Sequence, residues 1–124
     1  MDNQQAFDTV ARHLLTQGCK SIGPHGCAYR GEGGKKCAIG ALIPDDLYNR
    51  SFEGNRIFPL VREHVEIGVL LEDVSLTMLD ELQIVHDHTK QPDGLKFDLT
   101  TLKHRLREVA GEFDLDPAVV DAPV

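Results

Sequence analysis

The chain has 124 residues, of which 41% are hydrophobic, and it carries a formal net charge of −7. This length suits one hydrophobic core, so the sequence predicts a single domain over residues 1–124. No apolar run approaches the roughly 20 residues of a membrane span, and the first residues lack the order of a signal peptide. We therefore expect a cytoplasmic protein with no membrane partner, in which the three cysteines are free thiols.

The charges are unevenly distributed along the chain. Residues 57–88 carry seven acidic side chains against Arg62 alone, and residues 108–124 carry five acidic side chains and no basic one. No broad basic face results, which argues against nucleic-acid binding through phosphates. The acidic segments fit either a basic protein partner or solvated helix faces.

The first predicted elements are a helix and a hairpin. The stretch NQQAFDTVARHLLTQG has apolar residues at helical spacing and a natural stop at Gly18. The segment CAYRGEGGKKC, symmetric about Glu32, predicts a β-hairpin with Cys27 facing Cys37. A short buried helix that ends at Pro44 should follow.

The second half of the chain is predicted to be helical. One helix carries Pro59 in its first turn and either continues or breaks before Gly68. The next has Thr77 and Asp80 as a capping pair, and the last long helix follows an Asp98 cap. The predicted fold is α+β: a compact, mostly helical single domain of about five helices with one small β-hairpin near residues 27–37.

The cysteines suggest two chemical alternatives, a zinc site and a catalytic nucleophile. Cys19, His25, Cys27 and Cys37 would make a Cys₃His set for zinc, although their spacing lacks a paired knuckle. Alternatively, Cys37 could be a nucleophile activated at a helix start, with His86 or His88 as base and Asp87 or Asp45 as the orienting group.

A structural interpretation of the same stretch is favoured. Cys27 and Cys37 would then be small buried residues that anchor the hairpin, and its tip would present Tyr29 and Arg30 outward. Tyrosine and arginine are the residue types that most often anchor protein interfaces.

The stretch CAYRGEGGKKCAIGALIPDDLY, with LQIVHDH and LREVAGEF further on, resembles a family of short proteins encoded in phage and bacterial genomes. The shared pattern includes neither Cys19 nor His25, and the resemblance brings no reaction with it. It implies a small acidic protein that binds a bacterial host protein, such as a component of a defence system, in the manner of an anti-CRISPR inhibitor.

The leading hypothesis is therefore a non-enzymatic binding protein with no cofactor, for which homo-oligomerisation stays open. Its predicted contact residues are Tyr29, Arg30, Asp45 and Asp46, with Glu63, Glu66, Asp80 and Glu81 as electrostatic support.

Overall fold

The computed structural model describes residues 1–123, and this part of the chain forms six α-helices and one two-stranded antiparallel hairpin. In chain order the elements are α1 (Asn3–Gln17), β1 (Ile22–Gly23), β2 (Gly26–Cys27), α2 (Ile57–Glu63), α3 (Val65–Leu70), α4 (Leu76–His88), α5 (Leu99–Glu112) and α6 (Ala118–Asp121). Short 3₁₀ turns lie at Glu32–Gly34, Gly40–Leu42 and Arg50–Phe52. The predicted α+β, mostly helical class is confirmed.

Helix α1 has clear start and stop signals. The Asp2 side chain accepts a hydrogen bond from the Gln5 N–H at 2.9 Å, and the Gln5 side chain accepts one from the Asp2 N–H at 2.8 Å, which completes a capping box. At the other end Gly18 adopts the left-handed conformation, with φ of 74°, that glycine tolerates without a Cβ clash. The helix buries its apolar face, which includes Phe7, Val10 and Leu14.

The hairpin is present, but its predicted position at residues 27–37 is wrong. Ile22 pairs with Cys27 and Gly23 with Gly26, so Cys27 ends the second strand instead of beginning the first. Pro24 and His25 form the turn, which Gly26 can follow because it tolerates a φ of 106°. The glycines near Glu32 form a separate loop that the Gly31 N–H closes on the Lys35 carbonyl.

The predicted helix with Pro59 in its first turn ends early. His64 has extended backbone angles and separates α2 from α3, so the break comes before Gly68, which itself lies within α3. The sequence left open whether this segment forms one helix or two, and the structure has two short helices.

The start of α4 differs from the prediction of a Thr77 and Asp80 pair. Ser75 is the N-cap, and its hydroxyl accepts a hydrogen bond from the Met78 N–H. Asp80 instead forms an ion pair with Arg56, with 2.9 Å between Arg56 Nη2 and Asp80 Oδ1. Asp98 is the N-cap residue of α5, as predicted, although its carboxylate accepts the Thr101 hydroxyl and no backbone N–H.

Helices α1, α4 and α5 pack around one continuous cluster of buried apolar residues. The inner face of α4 supplies Met78, Leu79 and Leu82, all of them fully buried. Its opposite face reaches the surface, and Ile84 there keeps 39% of its accessible area. The outer face of α4 is therefore the part of this helix that is free to contact another molecule.

The segment between α1 and α2 contains little regular structure, and side chains from the helices hold its backbone. The Gln17 side chain bridges the N–H and carbonyl groups of Lys36 at 2.9 Å each. The Gln83 side chain accepts a hydrogen bond from the Ile39 N–H at 3.1 Å. Such bonds satisfy buried backbone groups that no neighbouring strand or helix turn can reach.

Candidate functional site

Two depressions flank the exposed face of α4, and Ile84 contributes to both. We call the first the thiol cleft; it is lined by Cys27, Tyr29, Cys37, Gly54, Asn55, Arg56, Asp80, Gln83, Ile84 and Asp87. We call the second the acidic groove; it runs between α4 and α5 and is lined by Glu81, Ile84, Val85, Arg105, Glu108, Val109 and Glu112. The thiol cleft encloses about 160 Å³, less than the roughly 300 Å³ at which small-molecule sites usually begin.

Tyr29 is buried, so its predicted place on the surface is wrong, and Arg30 is half-buried. Tyr29 is 5% exposed, and its hydroxyl donates to the Asn55 carbonyl at 2.6 Å. The Arg30 guanidinium donates to the carbonyls of Gly40 at 2.9 Å and Ile43 at 2.6 Å. Both side chains hold the loop segment together, and the Arg30 guanidinium also reaches the exposed Asp45.

Glu53 completes this internal support. Its Oε1 accepts the Tyr29 N–H at 2.9 Å, and its Oε2 accepts the Arg30 N–H at 3.2 Å and the Tyr48 hydroxyl at 2.6 Å. Burial and the Glu53 carboxylate raise the pKa of Tyr48 to about 12, so its hydroxyl stays a donor. Residues 29–31 are therefore a structural element, held by a carboxylate that directly follows the Arg50–Phe52 turn.

Cys37 is 2% exposed and lies before the Gly40–Leu42 turn, where its sulfur accepts a hydrogen bond from the Gly40 N–H. Burial raises the pKa of this thiol to about 12, and the hydrogen bond from Gly40 offsets only part of that effect. The expected activation at a helix start does not develop, because desolvation outweighs it. Cys37 is a protonated, buried thiol at neutral pH.

Cys27, Asp87 and His86 form a hydrogen-bonded chain beside the thiol cleft. The Ser21 N–H donates to His86 Nε2 at 2.9 Å, which places the ring proton on Nδ1, 2.7 Å from Asp87 Oδ1. The Asp87 carboxylate also accepts the Gln83 side-chain amide at 2.8 Å and the Cys27 thiol. The carboxylate therefore lies between the thiol and the imidazole, whereas a nucleophilic triad needs the imidazole between the other two.

The position of Asp87 beside Cys27 also affects the protonation of the Cys27 thiol. Cys27 is exposed at the end of β2, so the interpretation of it as a buried residue is wrong. Partial desolvation of its sulfur and the hydrogen bond to Asp87 raise the pKa of its thiol to about 11. His86, the base considered with Cys37, is fully buried and uses both ring nitrogens in hydrogen bonds, while His88 is exposed on the helix. The geometry gives no support to a cysteine-dependent reaction.

The four residues considered for zinc are not brought together. Within residues 1–123, the only group of three potential ligands whose donor atoms all lie within 4.8 Å of one another is Cys27, His86 and Asp87. Cys19 and His25 lie outside it, and Cys37 is buried separately. His86 does not fit a metal at this place, because its Nδ1 carries the proton that Asp87 accepts and its Nε2 accepts the Ser21 N–H.

The predicted acidic contact residues are distributed over several elements. Asp45 is exposed and ion-paired with Arg30 at 3.0 Å and Lys36 at 3.6 Å, and these two cations lower its pKa. Asp46 is exposed beside it, and Glu63 and Glu66 are exposed on α2 and α3. Asp80 and Glu81 lie on α4, where Asp80 lines the thiol cleft and Glu81 lines the acidic groove.

Several residues of this face were missing from the sequence-based set. Ile84, Glu108 and Glu112 reach it because α4 and α5 pack side by side, and the apolar stripe of each helix carries the signal for that packing. Helical spacing in LQIVHDH places Ile84 off the stripe, so its exposure could have been inferred from the sequence. Glu81 of α4 also meets Glu112 of α5 across the acidic groove. This contact could not have been inferred from the sequence, because it depends on the register in which the two helices pack.

Comparison with known proteins gives no functional assignment: no family model, no curated protein and no solved structure matches the chain. In the part of the chain that the structure describes, no helix has both the length and the apolar composition needed to cross a membrane.

Proposed function

We propose that this protein acts without catalysis, by binding a basic surface of another protein through the exposed face of α4. The observation that carries the proposal is the position of Ile84, an exposed apolar side chain between two depressions. Interfaces often have this form, in which a central apolar contact is surrounded by pockets that receive side chains of the partner.

The charge around Ile84 determines the kind of partner. The two depressions together contain five carboxylates (Asp80, Glu81, Asp87, Glu108 and Glu112) and two guanidinium groups (Arg56 and Arg105). A partner that presents lysine and arginine would meet a complementary potential, and its binding should weaken as salt is added.

The specific proposal is that the partner is a bacterial host protein in the cytoplasm, and that the binding inhibits a component of a defence system. This part rests on the family resemblance of the sequence. The protonated thiols and the small thiol cleft support a binding role over an enzymatic one.

Affinity capture from a bacterial lysate tests the proposal when two variants are compared with the native protein. Ile84→Ser removes the apolar contact at the proposed surface, and Leu95→Ser removes an apolar side chain that is 72% exposed in the loop before α5. We expect a basic protein that is retained by the native chain and by Leu95→Ser but lost by Ile84→Ser. Equal retention by all three, or no retained protein, would contradict the proposal.

A further inference from the structure

The acidic groove has an apolar floor and an acidic rim. Val85 and Val109, each 5% exposed, lie at its base together with Ile84, and Glu81, Glu108 and Glu112 surround them. The groove encloses about 390 Å³ and opens to solvent. A long side chain with an apolar stem and a charged end matches this combination, because the stem can cover the valines while the charge meets the rim.

Glu81 has a carboxylate oxygen that nothing in the described chain satisfies. Its Oε2 is shielded from solvent and has no hydrogen-bond partner among residues 1–123. An unpaired buried acceptor costs free energy, because it has lost its hydrogen bond to water and gained none in the fold. A ligand that donates an N–H group to this oxygen would therefore gain more binding free energy than it would by donating to a hydrated carboxylate.

The other contact of Glu81 is a second carboxyl group. Glu112 of α5 lines the same groove, and the two acidic groups interact across it. Burial, the neighbouring Glu112 carboxyl group and the charge of Asp80 raise the pKa of Glu81. A cation placed between the two carboxylates would relieve their mutual repulsion.

We propose that the acidic groove binds an arginine side chain of the basic partner, with its guanidinium bridging the carboxylates of Glu81 and Glu112. This inference rests on the proposed function and names the chemistry that the α4 face recognises. A guanidinium has five N–H donors in a plane and can bond two carboxylates at once, whereas a lysine ammonium is a point charge. Binding of the guanidinium would replace the repulsion between the two carboxylates with two charge-assisted hydrogen bonds.

The other charged groups of the groove leave room for this cation. Arg105 lies in the lining and repels it, but three carboxylates oppose that single positive charge. Glu108 lies 3.4 Å from His104 of the same helix, whereas Glu112 is the carboxyl group that interacts with Glu81 across the groove. Glu81 and Glu112 are thus the two groups on which binding should depend.

A peptide titration followed by NMR tests the inference without knowledge of the partner. The probes are acetyl-Ala-Arg-Ala-amide and the same peptide with citrulline, which has nearly the same shape and no charge. We expect the arginine peptide to shift the amide resonances of Glu81, Ile84, Val109 and Glu112, with a dissociation constant of roughly millimolar, and the citrulline peptide to bind about tenfold more weakly.

Two variants complete the experiment. Glu112→Gln should weaken binding of the arginine peptide about tenfold, while Glu66→Gln, which alters an exposed carboxylate on α3, should leave it unchanged. The amide spectrum of each variant shows that it is folded. Equal shifts with both peptides, shifts confined to other surfaces, or equal binding by Glu112→Gln would overturn the inference.

The outcome is separable from that of the capture experiment. Capture that depends on Ile84, together with peptides that bind equally, would retain the α4 face as the docking surface and reject the arginine site. Selective arginine binding without an Ile84-dependent partner would retain the arginine site and reject the broader function.

Discussion

Glu53 is a half-buried carboxylate that accepts three hydrogen bonds from the loop between the hairpin and α2. Two of the donors are consecutive backbone N–H groups, which have no strand partner at this position. A carboxylate can serve both because each of its two oxygens can accept a separate N–H. The fixed positions of Tyr29 and Arg30, and with them one wall of the thiol cleft, depend on this residue.

Replacing Glu53 should therefore destabilise the fold. We expect Glu53→Gln to lower the free energy of unfolding by about 2 kcal/mol, because an amide offers only one acceptor oxygen and no charge. Urea denaturation measures the change. Glu63→Gln, at an exposed position of α2, is the matched control and should change stability by less than about 0.5 kcal/mol. Equal stabilities of the two variants would show that Glu53 does not hold the loop.

The thiol of Cys27 provides a second prediction at this scale. Since partial desolvation and Asp87 raise its pKa to about 11, iodoacetamide should label it slowly at neutral pH. Asp87→Asn removes the negative charge and leaves one acceptor oxygen, so the pKa should fall, and the labelling rate at pH 8 should rise about tenfold for each unit by which it falls. Mass spectrometry of the Cys27 peptide gives the rate, with Cys19 as the internal reference. An unchanged ratio of Cys27 to Cys19 labelling would exclude the proposed role of Asp87.

At the scale of elements, the helices follow from local signals and the loop segment does not. The apolar spacing of α1 and its glycine stop predict that helix from the sequence, and Pro59 predicts the start of α2. The hairpin was misplaced because the symmetric glycines near Glu32 resemble a hairpin tip, whereas the shorter GPHG turn takes that role. The segment that follows the hairpin is held by Glu53 and Gln83. Contacts between residues so far apart in sequence leave no periodic pattern in it.

Two glycines test how closely the elements approach one another. A Cβ at Gly40 would lie 2.5 Å from the Tyr29 carbonyl oxygen, whereas a Cβ at Gly111 in α5 would meet no atom within 4 Å. We expect Gly40→Ala to destabilise the protein by about 1–3 kcal/mol because backbone must move. Gly111→Ala should stabilise it by up to about 1 kcal/mol through helix propensity. Thermal denaturation separates the two, and a shift of the same sign for both would contradict the close packing at Gly40.

At the scale of the whole molecule, acidic groups from α4 and α5 converge on one face. The excess of acids in residues 57–88 and 108–124 predicted an acidic surface from the sequence. The sequence could not predict that Glu81 would meet Glu112, since that contact depends on how the two helices pack. It also placed Tyr29 and Arg30 outside, because an arginine bonded to carbonyls and an arginine bonded to a partner have the same sequence signal.

The pair formed by Glu81 and Glu112 should make stability depend on pH. Because the pKa of Glu81 is raised in the folded protein, the folded state binds its proton more readily than the unfolded chain. The contribution of Glu81 to stability should therefore be complete below the ordinary glutamate pKa and be lost as the pH rises through the raised value. Glu112→Gln removes the repulsion and should stabilise the protein at pH 7 by about 0.5 kcal/mol, with little effect at pH 4.

Urea denaturation at several pH values checks this dependence. Glu108→Gln is the control, since Glu108 lies in the same groove but is not among the groups that raise the pKa of Glu81. A gain from Glu112→Gln that is the same at pH 4 and pH 7 would rule out repulsion between Glu81 and Glu112 as its cause.

The most direct test of the account is the affinity of the captured partner, measured by calorimetry for the native protein, Ile84→Ser and Leu95→Ser at low and high salt. We predict that Ile84→Ser weakens binding about tenfold or more, that Leu95→Ser binds as the native protein does, and that added salt weakens binding. An affinity that is unaffected by Ile84→Ser, or that increases with salt, would contradict the claim that the α4 face binds a basic protein.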